Sequence, residues 1–469
     1  MLRKLILPSL ILAVLSSSAS AGELRVGRAA VSVTPAVGTP MITPQRPPFE
    51  MKYAAEAHDP IQAKAVVIDQ GGTRVALIEV DLTNEPLKIT QAAKKIIGET
   101  TKIDPANVLI ATTHTHTAPQ LRPKYLGKFD EKSRQMTLDY IAALPGKIAE
   151  SAKLAEADLQ PAQVSVAIGH EDSVSFNRRY FLRDGTVMTN PFKGEDEKLG
   201  QVLRPAGPTD PSVGVVIFDN PKAEPLAMMV NFSLHCDTMG GNNPSADFPF
   251  MVERTLKAAF GPQVLSFWAS GASGNINHYY LMDPVKFHRT KGVQESSRIG
   301  AIIGAEVLRA YPHREAIRDT PLRVSHEIVR LDYHPDKAAA QLARFKNAKE
   351  FSDDEVECHF ENGKLTFEAE VQVISLGNEL AWVGLPGEMF VELGLSLKEA
   401  SPFRYTMIHS LANGAIGYVP NRKAYPEGSY EATSTRCAPG AGEKLIESAT
   451  NQLIKLKNAD QQSNAVSQR

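Results

Sequence analysis

Val108-Leu109-Ile110-Ala111 and, past Thr112, Thr113-His114-Thr115-His116-Thr117-Ala118-Pro119 read as a β-strand released into an abrupt turn. An extended segment alternates its side chains. His114 and His116 would then share one face, about 7 Å apart along the chain at the usual strand rise. One metal could touch both imidazoles or only one, and paired histidines at a strand end are a plausible metal site. The same residues read equally as polar loop residues near a strand end.

The pattern recurs. Met228-Met229-Val230-Asn231-Phe232-Ser233-Leu234 runs into His235, and Val264-Leu265-Ser266-Phe267-Trp268 leads into Gly271-Ala272-Ser273-Gly274-Asn275. Leu380-Ala381-Trp382-Val383-Gly384 leads into Pro386-Gly387-Glu388, and Met407-Ile408-His409 into Asn413-Gly414. Each is an apolar, β-prone run ending in small or polar residues. Ligands of α/β proteins gather outside the carboxyl ends of strands, so five such ends could form one crevice.

Between these runs, 66–68 and 75–78 flank Gln70-Gly71-Gly72-Thr73, a hairpin signature because glycine accepts positive φ. The apolar set Ile89, Ala92, Ala93, Ile96 and Ile97 predicts a helix over 87–97. Helical periodicity returns at 250–260, 297–310, 336–349, 390–400 and 443–457. Strands and helices alternate without a strict βαβ rhythm, which predicts an α/β fold with mixed β-sheets flanked by helices. No linker, charge block or internal repeat divides the chain, so a single large catalytic domain over 22–457 is expected, with a polar, disordered tail at 458–469.

The first residues read as an export signal. Arg3 and Lys4 precede an apolar stretch over 5–15 and the small-residue site Ala19-Ser20-Ala21, giving a signal peptide at 1–21 and a secreted or periplasmic product. No later run approaches the roughly 18 apolar residues of a membrane helix. The chain carries 51 Lys and Arg against 53 Asp and Glu, a net charge of −2, and offers no field for a phosphate backbone. Nucleic acid is not an expected partner. Cys236, Cys358 and Cys437 allow at most one intramolecular disulfide. Cys236, next to His235 but on the opposite strand face, is expected to be buried and inert.

Thr-His-Thr-His followed by Ala118-Pro119, strand-borne His235 with its Gly-Asn-rich sequel, Pro386-Gly387-Glu388, and Tyr430-Glu431-Ala432-Thr433-Ser434-Thr435 together resemble the neutral/alkaline non-lysosomal ceramidase family. The resemblance begins near Val26-Gly27 with Ala30-Val31-Ser32-Val33-Thr34-Pro35, takes in His58-Asp59-Pro60, and runs to about Ile454. It implies a Zn2+ site with His114, His235, Glu388 and Tyr430 as ligands, and His116 in contact with the reacting group. Asn177-Arg178-Arg179-Tyr180 resembles the family's Asn-Arg segment, in which the arginine lines the site; that places Arg178 there. An arginine can hold a polar or anionic group through its fork of donors, whereas Arg179 reads as a surface ion pair. Glu388 could instead complement the dipole of the helix that follows it. Tyr430 could be a loop aromatic, with Tyr418 and Tyr425 close in sequence. Asp247 either contacts the site or caps the next helix.

The chain departs from the family at Gly274-Asn275-Ile276-Asn277-His278, where ceramidases carry Gly-Asp-Val-Ser-Pro. Asn277 stands at the serine, and an amide cannot serve as a hydroxyl nucleophile. Full ceramidases also continue into a C-terminal β-sandwich domain that this chain lacks. The leading expectation is an exported zinc hydrolase of lipid N-acyl amides, with metal-activated water as nucleophile and His116, Arg178 and Asn277 around the reacting group. The alternatives are another amide or ester substrate, such as a carbohydrate-linked one, and a non-catalytic binding protein on the same scaffold.

Overall fold

The structure, a computed structural model, describes residues 23–41, 50–122, 126–127, 129–191, 200–282, 291–318, 321–346 and 356–467. The expected signal peptide lies outside them.

Three five-stranded sheets dominate the fold, and the chain builds each by the same path. In the first unit, Arg25–Ser32 pairs antiparallel with Gln62–Gln70, which pairs antiparallel with Thr73–Val80. The helix Leu87–Thr100 then crosses over to an edge strand, Val108–Thr112, parallel to Thr73–Val80. In the second unit the three antiparallel strands are Gln163–His170, Ser212–Asp219 and Pro225–Phe232, the crossover helix is Phe248–Phe260, and the parallel edge strand is Leu265–Ser270. The third repeats the order with Leu322–Asp332, Lys364–Leu376, Leu380–Gly384, helix Val391–Ala400 and edge strand Tyr405–His409. A second helix after each edge strand packs on the crossover helix: Glu131–Ala157, Val293–Ala310 and Ala441–Ser467.

This threefold repetition of path corrects the expectation that no internal repeat is present. It is a repeat of topology without a repeat of residues. What the units share is a two-faced burial pattern. The inner faces of all three sheets meet in one core, with Val66, Ile68, Leu77, Val216, Met229, Phe267, Trp382 and Met407. The outer faces each pack under their own helices, as Ala65, Val67 and Ile78 do with Ile89, Ala93 and Ile148. Strands covered on both sides carry apolar residues at odd and even positions alike. That explains the unbroken apolar runs in the sequence.

The hairpin at Gly71-Gly72 forms as predicted, with φ of +59° and +88°. The expected helices are present with shifted ends, and the one read over 336–349 runs Pro335–Lys346, its last part falling outside the described residues. One long helix was not expected, besides the short helices Ala424–Glu427 and Ser429–Ser434. Glu131–Ala157 contains Pro145, whose missing N–H argues locally against a helix. Burial of Leu144, Ile148, Ala152 and Ala155 against the first sheet overrides that local cost. The last helix also continues through Ser467, where a disordered tail was expected from Asn458. Propagation from an existing helix adds one bond per residue fixed, and Ala and Gln sustain it.

Where the three edge strands end, they exchange backbone and side-chain hydrogen bonds. Ser410 N donates to Ser270 O (2.8 Å), Ser270 Oγ to Thr113 O (3.1 Å), and Asn413 N to Ile110 O (2.7 Å). Asn231 Nδ2 reaches both Ala269 O (2.9 Å) and Ile408 O (2.6 Å). Asn231→Ala would leave two buried carbonyls without these donors, and should cost about 2–4 kcal/mol of stability. Urea unfolding checks this; a loss below about 1 kcal/mol would mean that the seam is not what ties the second and third units together.

Candidate metal centre

Five strand ends meet as the sequence suggests, in an order set by the repeat. The third strands of the three units end at Val80, Phe232 and Gly384, and a few residues on lie Thr83, His235 and Glu388. The first edge strand ends at Thr112, and His114 follows with φ of +66°. A left-handed conformation at a non-glycine residue costs roughly 1–2 kcal/mol. It also breaks strand alternation. His114 and His116 therefore do not sit side by side along an extended segment; their rings turn toward one point, with the two Nε2 atoms 3.3 Å apart.

His114 Nε2 is the centre of the cluster. It lies 3.0 Å from His235 Nε2, 3.3 Å from His116 Nε2 and 3.3 Å from Glu388 Oε2. The other ring nitrogens settle the protonation. His114 Nδ1 faces the carbonyl oxygen of Thr83, and His235 Nδ1 that of Ser273 at 3.3 Å. A carbonyl only accepts, so both Nδ1 atoms carry the proton and both Nε2 atoms present lone pairs. Two lone pairs and a carboxylate oxygen thus converge. Glu388 Oε2 is buried without a hydrogen-bond partner. Ligands about 2.0–2.1 Å from a tetrahedral zinc lie roughly 3.3 Å from one another, so the spacing and donor set fit that ion. His114, His116 and His235 also form a metal-compatible group, their ligand atoms all within 4.8 Å of each other.

Electrostatics agree. Burial pushes His235 well below the usual imidazole range, and His116 down to about 4. Glu388 is held below its ordinary carboxyl value: burial acts to raise it, and the charge of the buried Arg178 guanidinium is among the causes that lower it. Glu388 does not cap the following helix. It sits in the short strand Glu388–Met389, and Asn275 Oδ1 accepts from Val391 N at the helix start instead.

Two phenols, Tyr418 and Tyr430, stand near Glu388. Glu388 is the register partner of Tyr418 in a parallel two-stranded ladder. The Tyr418 hydroxyl accepts from Arg178 Nη2 at 3.1 Å, and burial pushes it well above the ordinary phenol range. Tyr430 packs edge-on against Tyr418, ring centroids 5.4 Å apart, and is 45% exposed. Tyr418 is the inner phenol and Tyr430 the outer. Only the Asn-Gly turn before Tyr418 could have marked it in the sequence. Tyr425 points elsewhere, its hydroxyl on Cys437 O and Ala438 O.

Arg178 is buried, donating from Nε to Glu431 (2.7 Å) and from Nη2 to Gly274 O (2.6 Å). Arg179 is not the surface ion pair expected: it is 2% exposed and holds Glu427 and Gly428 O, each at 3.0 Å. The two arginines clamp the segment that carries Tyr430. Asn277 spends its amide on the fold, donating to Asn190 (2.7 Å) and accepting from Tyr279 N (3.0 Å). Asp247 caps its helix and also accepts from Thr238 N and Met239 N. Cys236, Cys358 and Cys437 are free and buried, and burial pushes the Cys236 thiol well above its ordinary value.

No protein-family model matches the chain, and no curated protein matches it in sequence. Among solved structures it is similar to neutral ceramidase from Pseudomonas aeruginosa, with a TM-score of 0.70 at 17% identity over 93% of this chain and 75% of that one. A ceramidase complexed with C2 gives 0.69 at 18% identity, over 93% of this chain and 76% of the other. The ceramidase resemblance read from the residues is thus met at the level of the fold: a mixed α/β domain that superposes on these two enzymes over nearly its whole length.

Proposed function

We propose that the protein is an exported, zinc-dependent hydrolase of amide bonds, ceramidase-like, with lipid N-acyl amides as its substrate class. What carries the reading is the convergence of two unprotonated imidazole nitrogens and an unpartnered buried carboxylate oxygen at the strand ends of this fold. His114, His235 and Glu388 would hold the metal, with a phenol completing the set. Bound zinc would supply Lewis acidity, polarising a carbonyl and lowering the pKa of water toward about 7.

The remaining steps belong to side chains of the chain. His116, on the open side of the cluster, takes a proton from the attacking water and passes it to the departing amine nitrogen. Arg178 is fixed through Nε and Nη2, while its Nη1 makes no hydrogen bond among the described residues and can take the carbonyl oxygen as charge develops. Asn277 supplies no nucleophile and acts by holding Asn190 and Tyr279 in place. No helix among the described residues is long and apolar enough to cross a membrane.

The purified protein should carry about one zinc per chain. His114→Ala and His235→Ala should lose it, and His116→Ala should lose activity while retaining it. Elemental analysis of Tyr418→Phe and Tyr430→Phe identifies the phenol ligand. We expect the larger loss of metal at the inner Tyr418, and a loss confined to Tyr430 would restore the sequence-based assignment. Stoichiometric zinc with no turnover across N-acyl amide and ester panels would instead favour a binding protein.

Asn277→Ala should keep its zinc and lower turnover roughly 10- to 1000-fold. Ceramide should be a weak substrate of the natural protein, because the serine of the ceramidase pattern is missing. Ceramide emerging as the best amide in the panel would overturn that inference and leave the zinc chemistry standing.

A further inference from the structure

His116 has a second neighbour that the proposed mechanism does not use. Its backbone N–H donates to Cys236 O at 3.0 Å, tying the loop after the first edge strand to the loop after His235. The next residue along that loop is Asp237. Its Oδ1 lies 3.8 Å from His116 Nδ1, while Nε2 on the opposite side of the ring faces His114. Lys291 Nζ pairs with the same oxygen from across the cleft, and Gly292 N donates to Thr238 O at 2.7 Å. At 3.8 Å the carboxylate is just beyond hydrogen-bond reach of the ring. Such contacts tighten when a site is loaded, and the side chain of Asp237 is 22% exposed, which leaves it room to turn.

We propose that Asp237 is the positioning residue of His116: its carboxylate accepts the Nδ1 proton and fixes the tautomer whose Nε2 lone pair faces the cluster. The inference rests on the proton-transfer role given to His116 above. In that role the ring gains a proton at Nε2 from the attacking water, whose oxygen bonds to the carbonyl carbon. The ring then carries a positive charge facing Asp237. When the C–N bond breaks, the same proton leaves for the amine nitrogen and the ring returns to its starting tautomer. A carboxylate behind a histidine in this way sets ring orientation and basicity. Lys291 is the competitor, sharing the oxygen that the ring needs.

The bland account is that Asp237 only tethers Lys291 across the cleft. Three variants of the full-length, zinc-loaded protein separate the two: Asp237→Asn, Lys291→Met and the double variant, each with zinc content, kcat and KM measured. On the positioning account Asp237→Asn lowers kcat roughly 10- to 100-fold, the usual cost of losing such a partner, with KM and zinc unchanged. Lys291→Met keeps most of the wild-type turnover. Equal losses in both single variants, no worse in the double, would overturn the proposal. An activity-independent readout is the imidazole nitrogen NMR of His116. The Nδ1–H tautomer should dominate in the wild type and in Asp237→Glu, and give way in Asp237→Asn. An unchanged tautomer in Asp237→Asn overturns the proposal whatever the turnover. If no substrate is found at all, the tautomer still decides it, so failure of the proposed function and failure of this inference remain distinguishable.

Discussion

An edge strand presents a row of unpaired backbone groups, and this fold points three of them at one another. Extending one sheet into the next would have paired them, but the inner faces would then no longer enclose a common core. The chain satisfies them singly instead. Ser270, Ser410, Asn413 and Asn231 carry donors and acceptors across the gap between units. Exposed edges are a liability that proteins cover or abolish; here the edge-strand ends are tied by bonds among Thr113, Ser270, Ser410 and Asn413 and by Asn231 on the neighbouring strand. Because those contacts lie at the carboxyl ends of the strands, they fix the same loops that carry His114, His235 and Glu388.

The ties continue to the outside of the molecule. Lys94 on the first crossover helix pairs with Glu370 in the second strand of the third unit, at 3.2 Å. Glu253 on the second helix pairs with Lys64 in the second strand of the first unit. Lys398 on the third helix pairs with Asp210, just before the second strand of the second unit, at 2.7 Å. Each unit grips the next in a closed cycle, and the charge sign is reversed at one of the three joints. Buried pairs of this kind contribute little net stability, but losing one partner is costly. Their effect here is to fix the angle between units, on which the distances inside the cluster depend.

This explains which parts of the molecule could be read from the chain. The strand runs were legible because both faces of every central strand are covered, and the five strand ends were legible because apolar runs stop abruptly there. His114, His235 and Glu388 stand out for the same reason. The threefold path was not legible: the units share burial and direction, and Leu, Val, Met and Trp serve equally at equivalent positions. The helix through Pro145 was hidden because its packing partners, the helix Leu87–Thr100 and the strands Arg25–Ser32 and Gln62–Gln70, lie far from it in sequence. The inner phenol was hidden because the ladder pairing Glu388 with Tyr418 spans only two residues on each side. The burial of Arg179 depends on Glu427 and Glu431, some 250 residues away.

The two asparagines that stand where the ceramidase pattern has Asp and Ser are each engaged in the fold. Asn275 accepts from Val391 N and donates to Glu392 at 2.8 Å, so one neutral side chain caps the third crossover helix and satisfies a carboxylate in its first turn. An aspartate could accept the first bond, but would face Glu392 with like charge. Asn277 makes the matching pair of contacts on the other side of the short strand Ile276–Asn277. Gly274, just before them, has no room for a side chain, since a Cβ there would lie 2.3 Å from Glu388 O. The segment is therefore built to press a rigid, uncharged wall against the backbone of Glu388. A serine at 277 would free Tyr279 N and Asn190 from their partner unless its hydroxyl replaced both bonds, and a hydroxyl so engaged would not be available to attack. In this chain the wall and a free serine hydroxyl at 277 are alternatives, which is why the function proposed above takes water as its nucleophile.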